Sequence, residues 1–398
     1  MLRVAIVCAL LGLPLVIKGL QVVEPSSVTT TSIIEGHGYP VEEHTVTTTD
    51  GYILTMHRIP HSLKTGNDGS SRPVAFLMHG LLGSSSNWVL NEQGLGYVLS
   101  DNGFDVWMGN ARGNTYSRRH TTKNPLNKDF WNFDWHQIGI NDLPAMITYA
   151  TKHTGQPKVS YIGHSQGTTV FFVLNSMDGK AKDLFNSAHL LAPAVFMEHS
   201  QNQIIRFGGK IFGKSTVLAE KFGNTEFLPS SRALQELGGG ACGDTSPFKE
   251  MCADVLSSIL GNNSPYFNRT MIPDILATSP AGASFNQLIH FFQLQQSGRF
   301  CEFDYGFIRN MLEYKSWTSP DYDLGSIDVP TYMYYSDYDQ LVDVTDVQTL
   351  ITKLKPLARD HRMSEIQFSH GDFLYGINAT ELLYNLILED IVNNINIQ

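Results

Sequence analysis

Charge and cysteine are both scarce in this chain: 17 % of its 398 residues are charged and only four are cysteine. Basic side chains are the rarer kind, 28 against 38 acidic, and the net charge of −10 leaves no basic patch for nucleic acid or an anionic membrane. Any contact with lipid must therefore be apolar. No HExxH, no paired CxxC and no histidine cluster of ligand spacing occurs, so no metal is expected. The glycine run Gly238–Gly240 lacks the Lys-Ser/Thr ending of a phosphate loop, and no cofactor is expected either. Internal repeats, low-complexity tracts and long like-charge blocks are also missing. With 42 % hydrophobic residues the composition is that of a folded globule.

One uncharged apolar stretch stands out, Val4 to Ile17, preceded by the single basic residue Arg3. Its length suits a signal-peptide core and falls short of the roughly 20 residues of a membrane span. Residues 1–19 are accordingly expected to be removed, leaving a mature chain without a transmembrane span. Secretion is the expected route, with the lysosome as the alternative destination. Cys8 leaves with the signal. Cys242 and Cys252 then bracket a short loop and are expected to form a disulfide, two nearby reduced thiols being the alternative, with Cys301 left free. Acceptor sequons at Asn262, Asn268 and Asn378 agree with glycosylation on that route.

Past the signal, "HTVTTTDGYILTMHRIP" places Asp50-Gly51 between two alternating segments, which predicts a hairpin. Short apolar runs follow: "VAFLMHG" from Val74, "FDVWMGN" from Phe104, "KVSYIGHS" from Lys158, "AHLLAP" from Ala188, "PTYMYYS" from Pro330 and "SEIQFSH" from Ser364. Runs so short and so apolar, separated by helical stretches, predict parallel strands covered on both faces and an α/β fold. The interval from Pro193 to Pro330 is too long for a structureless loop. It is read as an inserted helical cap, residues 197–323, between two parts of one core, residues 20–196 and 324–398. Helices are expected from about Thr345 and about Asn378.

"GHSQG", Gly163 to Gly167, joins the third of these runs to a helix. A serine hydroxyl is a weak nucleophile unless a base stands within hydrogen-bond reach. A strand-Gly-x-Ser-x-Gly-helix turn lifts the hydroxyl above the sheet, and the glycines keep Cβ atoms out of the bend. Ser165 is the candidate nucleophile, and the backbone N–H of Gln166 at the helix start is an oxyanion donor. A second donor belongs in "HGLLGSSSNW", where Leu81 is chosen. His164 is next to the serine but projects elsewhere from a strained turn. In such folds the order along the chain is Ser, acid, His. His370 is the only later histidine placed just after an apolar run. The acid is sought in "SDYDQLVDVTD": Asp343 and Asp346 fit an N-cap and third helical position, which leaves Asp337 and Asp339. Arg112 and the aromatic cluster "FWNFDWH" from Phe130 are read as bracing and packing.

"HGLLGSSSNWV", "GNARGNTYSRRH", "DLPAMITY", "GHSQGTT" and "SHGDF", in that order, make the chain resemble the acid lipase family of gastric and lysosomal lipases, and within it an insect-type member. The resemblance covers essentially the whole mature chain. It implies an α/β-hydrolase core with a mostly parallel sheet, a cap with a lid, and hydrolysis of triglycerides or cholesteryl esters at an oil–water interface. It also implies Ser165, Asp339 and His370 as the triad, and Leu81 and Gln166 as oxyanion donors. The acid-bearing turn lacks the glycines common in the family, so Asp337 stays the alternative acid. Two other functions share these residues: a carboxylesterase acting on small dissolved esters, and a catalytically silent lipid-binding protein.

Overall fold

A computed structural model describes residues 28–213, 216–229, 264–354 and 358–397. The expected signal peptide, Cys242, Cys252, Asn262 and the run Gly238–Gly240 lie outside the described residues.

The hairpin forms where Asp50-Gly51 predicts it. Strand β1 (Glu42–Thr47) pairs antiparallel with β2 (Tyr52–Ile59), Thr47 opposite Ile53, and Gly51 takes φ +97° in the turn. Five of the six apolar runs become strands of the same sheet: β3 (Val74–Met78), β4 (Asp105–Gly109), β6 (Val159–His164), β7 (Phe185–Leu191) and β10 (Thr331–Ser336). The short β5 (Arg119–His120) lies beside β2, and β11 (Ala358–Met363) closes the far edge. The spatial order is β1-β2-β4-β3-β6-β7-β10-β11, antiparallel as far as β2/β4 and parallel from β4 onward. This is the expected α/β architecture.

The sixth run departs from expectation. "SEIQFSH" is not the last strand; the polar "ARDHRM" before it is. The reason is position. β11 pairs only with β10, so an edge strand with wet flanks can be polar, and His361 uses its ring to stack on Tyr334 at 4.9 Å and pair with Asp390 at 2.8 Å. Ile366 and Phe368 are apolar because they pack beneath the chain's end, where Phe368 meets Phe373 edge-on at 5.8 Å.

Strand alternation sorts the core into two layers. Val74, Phe76 and Met78 of β3 face one layer with α2 (Leu143–Thr154) and α3 (Gln166–Met177). Ala75 and Leu77 face the other, with α1 (Leu95–Asp101) and α8 (Asn385–Ile397). Helix α7 (Val344–Lys353) begins as expected, Asp343 accepting from Thr345 N at 2.8 Å. The C-terminal helix is led in by a π-helical turn, Thr380–Tyr384. Between β7 and β10 the described residues add no strand to this sheet. They form helices, including α4 (Gln203–Phe212), α5 (Phe285–Ser297) and α6 (Phe307–Tyr314), and a small ribbon of β8 (Glu226–Phe227) with β9 (Ala283–Ser284).

Arg112 braces the first half of the core. Its Nε reaches Asp142 Oδ1 at 2.7 Å, its Nη1 and Nη2 reach Asp50 at 2.6 and 2.9 Å, and its guanidinium lies 4.0 Å over the Tyr52 ring. Burial alone would lower the guanidinium's pKa, but the Asp142 and Asp50 carboxylates outweigh it and hold it above the usual arginine value. Arg112→Ala leaves the Asp142 charge buried without a partner. The expected loss is about 3–5 kcal/mol, read as a lower urea midpoint at unchanged slope; a loss below about 1 kcal/mol would show that Asp142 finds another partner.

Candidate active site

Ser165 sits between the last residue of β6 and the first of α3 at φ 53°, ψ −118°, a left-handed conformation that a residue with a side chain adopts only under constraint. The constraint is the approach of α3 to the sheet. A Cβ on Gly163 would stand 2.8 Å from the Gly167 carbonyl carbon, and one on Gly167 would stand 2.2 Å from the Met78 carbonyl oxygen. Both flanking glycines are therefore required by space. Ser165 N donates to Leu191 O at 3.0 Å, and Thr168 returns two bonds to Ser165 O, at 2.8 Å from its N and 2.6 Å from its Oγ1.

Asp339 and His370 come together. His370 Nδ1 donates to Asp339 Oδ2 at 2.8 Å, and Asp339 Oδ1 accepts from Leu341 N at 2.8 Å and Val342 N at 3.1 Å. Both side chains are buried. The alternative acid points elsewhere: Asp337 is held by Arg362 through two 2.7 Å bonds at the surface, and these hydrogen bonds keep its carboxyl below the ordinary value. Nδ1 of His370 being the donor, its Nε2 carries a lone pair and has no partner among the described residues.

The loop after β3 lies against the serine, since a Cβ on Gly80 would stand 3.0 Å from Ser165 Cβ. His79 shapes it. Its Nδ1 donates to Gly80 O at 2.7 Å and its Nε2 accepts from Ala111 N at 3.1 Å, which fixes one neutral tautomer; burial lowers its pKa to about 4. Gly83 N closes a turn onto Gly80 O at 3.1 Å, with Leu82 at φ 63°. Among the described residues neither Leu81 N–H nor Gln166 N–H has an acceptor, so both are free to serve an incoming oxygen.

Two further residues belong to the surroundings: His164, which the sequence sets aside as a base, and Gln287, for which it gives no signal. His164 Nε2 donates to the His370 carbonyl at 3.0 Å, with the rings 4.9 Å apart. Burial, then the nearby His370, keeps the His164 pKa well below the ordinary histidine value, so it stays neutral, its Nδ1 without a partner among the described residues. Gln287 of α5 accepts from the Gln166 side chain at 2.7 Å, tying the segment between β7 and β10 to the serine turn. Their partners lie 206 and 121 residues away, beyond any local sequence signal.

The remaining expected sites stand apart from the serine. Asn268 caps a short helical turn through Thr270, and Asn378 is exposed at φ 59°. Cys301 is buried and forms no disulfide, and Ser319 Oγ donates to its sulfur at 3.4 Å. Among the described residues one trio has ligand spacing, Glu42, His44 and His153, but Arg58 Nη1 bonds Glu42 at 2.7 Å and lies 3.2 Å from His153 Nε2, which puts a cation there already.

A serine on a strained strand–helix turn, with an aspartate-backed histidine and two unengaged N–H groups, defines the class of α/β hydrolases that transfer acyl groups. Family models agree: residues 30–92 match a partial alpha/beta-hydrolase lipase region and residues 73–241 the alpha/beta hydrolase fold. "Lipase 3" of Drosophila melanogaster is 45 % identical over 96 % of each chain. The human lysosomal acid lipase/cholesteryl ester hydrolase is 36 % identical over 93 % of this chain and 92 % of its own. The gastric triacylglycerol lipase of Bos taurus is 34 % identical over 91 % of both. The chain belongs to the acid lipase family and is a carboxylic ester hydrolase.

His164→Phe keeps a ring of similar bulk and removes the donor, leaving the His370 carbonyl buried and unpaired. The expected destabilisation is about 1–3 kcal/mol in urea unfolding. His164→Gln, with an amide N–H to offer, is expected to recover part of it. A Phe variant as stable as the parent would show that the bond holds nothing.

Proposed function

We propose that the enzyme hydrolyses the ester bonds of neutral lipids, triglycerides or cholesteryl esters, by acyl transfer to Ser165. His370 Nε2 takes the hydroxyl proton as Oγ attacks the ester carbonyl. The N–H groups of Leu81 and Gln166 receive the developing oxyanion. Asp339 holds the ring in the required tautomer and stabilises the imidazolium. His370 then protonates the departing alcohol, and water, activated by the same nitrogen, releases the fatty acid. The observation that carries this reading is the buried 2.8 Å contact of Asp339 with His370, together with a strained serine turn at Ser165 that has both glycines wedged against backbone. The names of the human and bovine relatives, one for cholesteryl ester and one for triacylglycerol, support an uncharged lipid as substrate.

Residues 197–323 act in this reading as the cap and lid over the site, with residues 20–196 and 324–398 as the core. The helical make-up of the described residues of that segment and the Gln287–Gln166 contact support this division. The protein is made with a signal over residues 1–19 and secreted, the lysosome being the alternative. On that route Cys242 and Cys252 pair, and Asn262, Asn268 and Asn378 are glycosylated.

Ser165→Ala is expected to lower kcat on a dissolved ester by on the order of 10⁶-fold without loss of folded protein. The two candidate acids separate cleanly: Asp339→Asn is expected to lower kcat by about 10⁴-fold, whereas Asp337→Asn, which only frees a surface arginine, stays within about two-fold. The opposite ranking would move the acid to Asp337. Rates on emulsified triolein and on a dissolved short-chain ester distinguish the lipase from a carboxylesterase, and indifference to emulsion would favour the latter.

A further inference from the structure

Helix α6 presents its polar side inward. Asn310 is buried, its amide donating to Asp304 Oδ1 at 2.7 Å and its carbonyl oxygen accepting from Tyr305 N at 2.9 Å. The Tyr314 hydroxyl donates to Phe303 O at 2.9 Å, and Arg309 lies 4.1 Å over the Tyr305 ring with Glu313 3.9 Å away. Arg309 and Glu313 line, with Asp134, Asn286 and Asp304, a cavity of about 330 Å³. The other side of the helix is apolar and faces water: Phe307 is 69 % exposed, Ile308 79 %, Leu312 67 %, and Trp317 just beyond the helix 62 %. Positions 307, 308 and 312 share one face of a 3.6-residue helix. Folding normally turns such a face inward. Here satisfied polar contacts hold it outward, which marks an interaction surface.

We infer that this face is a docking surface for an uncharged lipid interface, a role that rests on the neutral-lipid reading of the active site. Two observations favour lipid over a second protein. The four side chains present roughly 550 Å² at about 200 Å² per large side chain, on a convex two-turn helix, and a stable protein interface buries about 800 Å² per partner. The segment itself carries no basic cluster: Arg309 is engaged by Glu313, Lys315 is the only other cation from 307 to 317, and the whole chain carries −10. Attachment therefore runs through insertion of apolar side chains, with Trp317 suited by its ring and N–H to the boundary between water and acyl chains. Binding to zwitterionic or neutral-lipid surfaces should be insensitive to salt.

The purified mature protein tests this with phosphatidylcholine vesicles, emulsified triolein and a dissolved short-chain ester. The other four tryptophans, Trp88, Trp107, Trp131 and Trp135, are buried, so a vesicle-induced blue shift of emission reports on Trp317 and should vanish in Trp317→Phe. The double variant I308Q/L312Q should keep the parent's rate on the dissolved ester and its thermal midpoint. Its partition to vesicles and its rate on triolein should fall roughly ten-fold or more, in low and high salt alike. Parent-like partition and triolein hydrolysis by the double variant would overturn the assignment. So would a parent that sediments as a dimer while the variant is a monomer, because the occupant would then be a second copy. A parent that binds vesicles but cleaves neither triolein nor the dissolved ester would instead refute the catalytic reading and leave the surface standing.

Discussion

Everything at the catalytic end of the sheet is arranged around one steric constraint, the contact of the start of α3 with the end of β3. The Met78 carbonyl lies where a side chain on residue 167 would begin. To bring the helix this close the chain must turn sharply at Ser165, and the price is a left-handed serine. The turn is held by backbone bonds on both sides, Ser165 N to Leu191 and Thr168 to Ser165 O. Strain of this kind persists only where the surroundings overdetermine it, and here two strands and a helix do so.

Around that turn the histidines divide by their partners. His79, His164 and His189 are buried among acceptors or donors that each fix a neutral ring, and burial lowers the pKa of all three. They do structural work on loops and strands: His79 shapes the turn after β3, His164 grips the His370 carbonyl, and His189 links Ser187 to Tyr334. His370 differs because a carboxylate faces its Nδ1 while its Nε2 is left unengaged among the described residues. A second histidine with a buried carboxylate, His290 with Asp134 at 3.1 Å, has its other nitrogen committed to the Cys301 carbonyl at 2.9 Å and its face stacked on Trp135 at 3.6 Å. An Asp–His pair alone thus does not suffice for a base; the nitrogen opposite the carboxylate must also be unengaged, as it is at His370 among the described residues.

Much of the fold was legible from hydrophobic runs because central parallel strands are buried on both faces and must be apolar along their whole length. That rule fails at the sheet edge. β11 is polar because one flank is wet, and the apolar run after it owes its character to packing under the C-terminal helix. The serine turn was legible too, since its glycines answer to a local clash. Arg112 could be read as a brace, but its partners Asp50 and Asp142 could not, because they lie on other elements.

From the sequence alone followed the class of fold and the candidate serine and histidine, because periodicity, turn residues and chain order are local or one-dimensional properties. It also narrowed the acid to two aspartates separated by one residue. Only the tertiary structure sends Asp337 outward to Arg362 and turns Asp339 inward to His370. The same holds for His164 under the His370 carbonyl and for Gln287 beside Gln166. Direction from a turn, and contacts between residues more than a hundred positions apart, arise only when the sheet stacks its strand ends side by side, and no local pattern of residues encodes them.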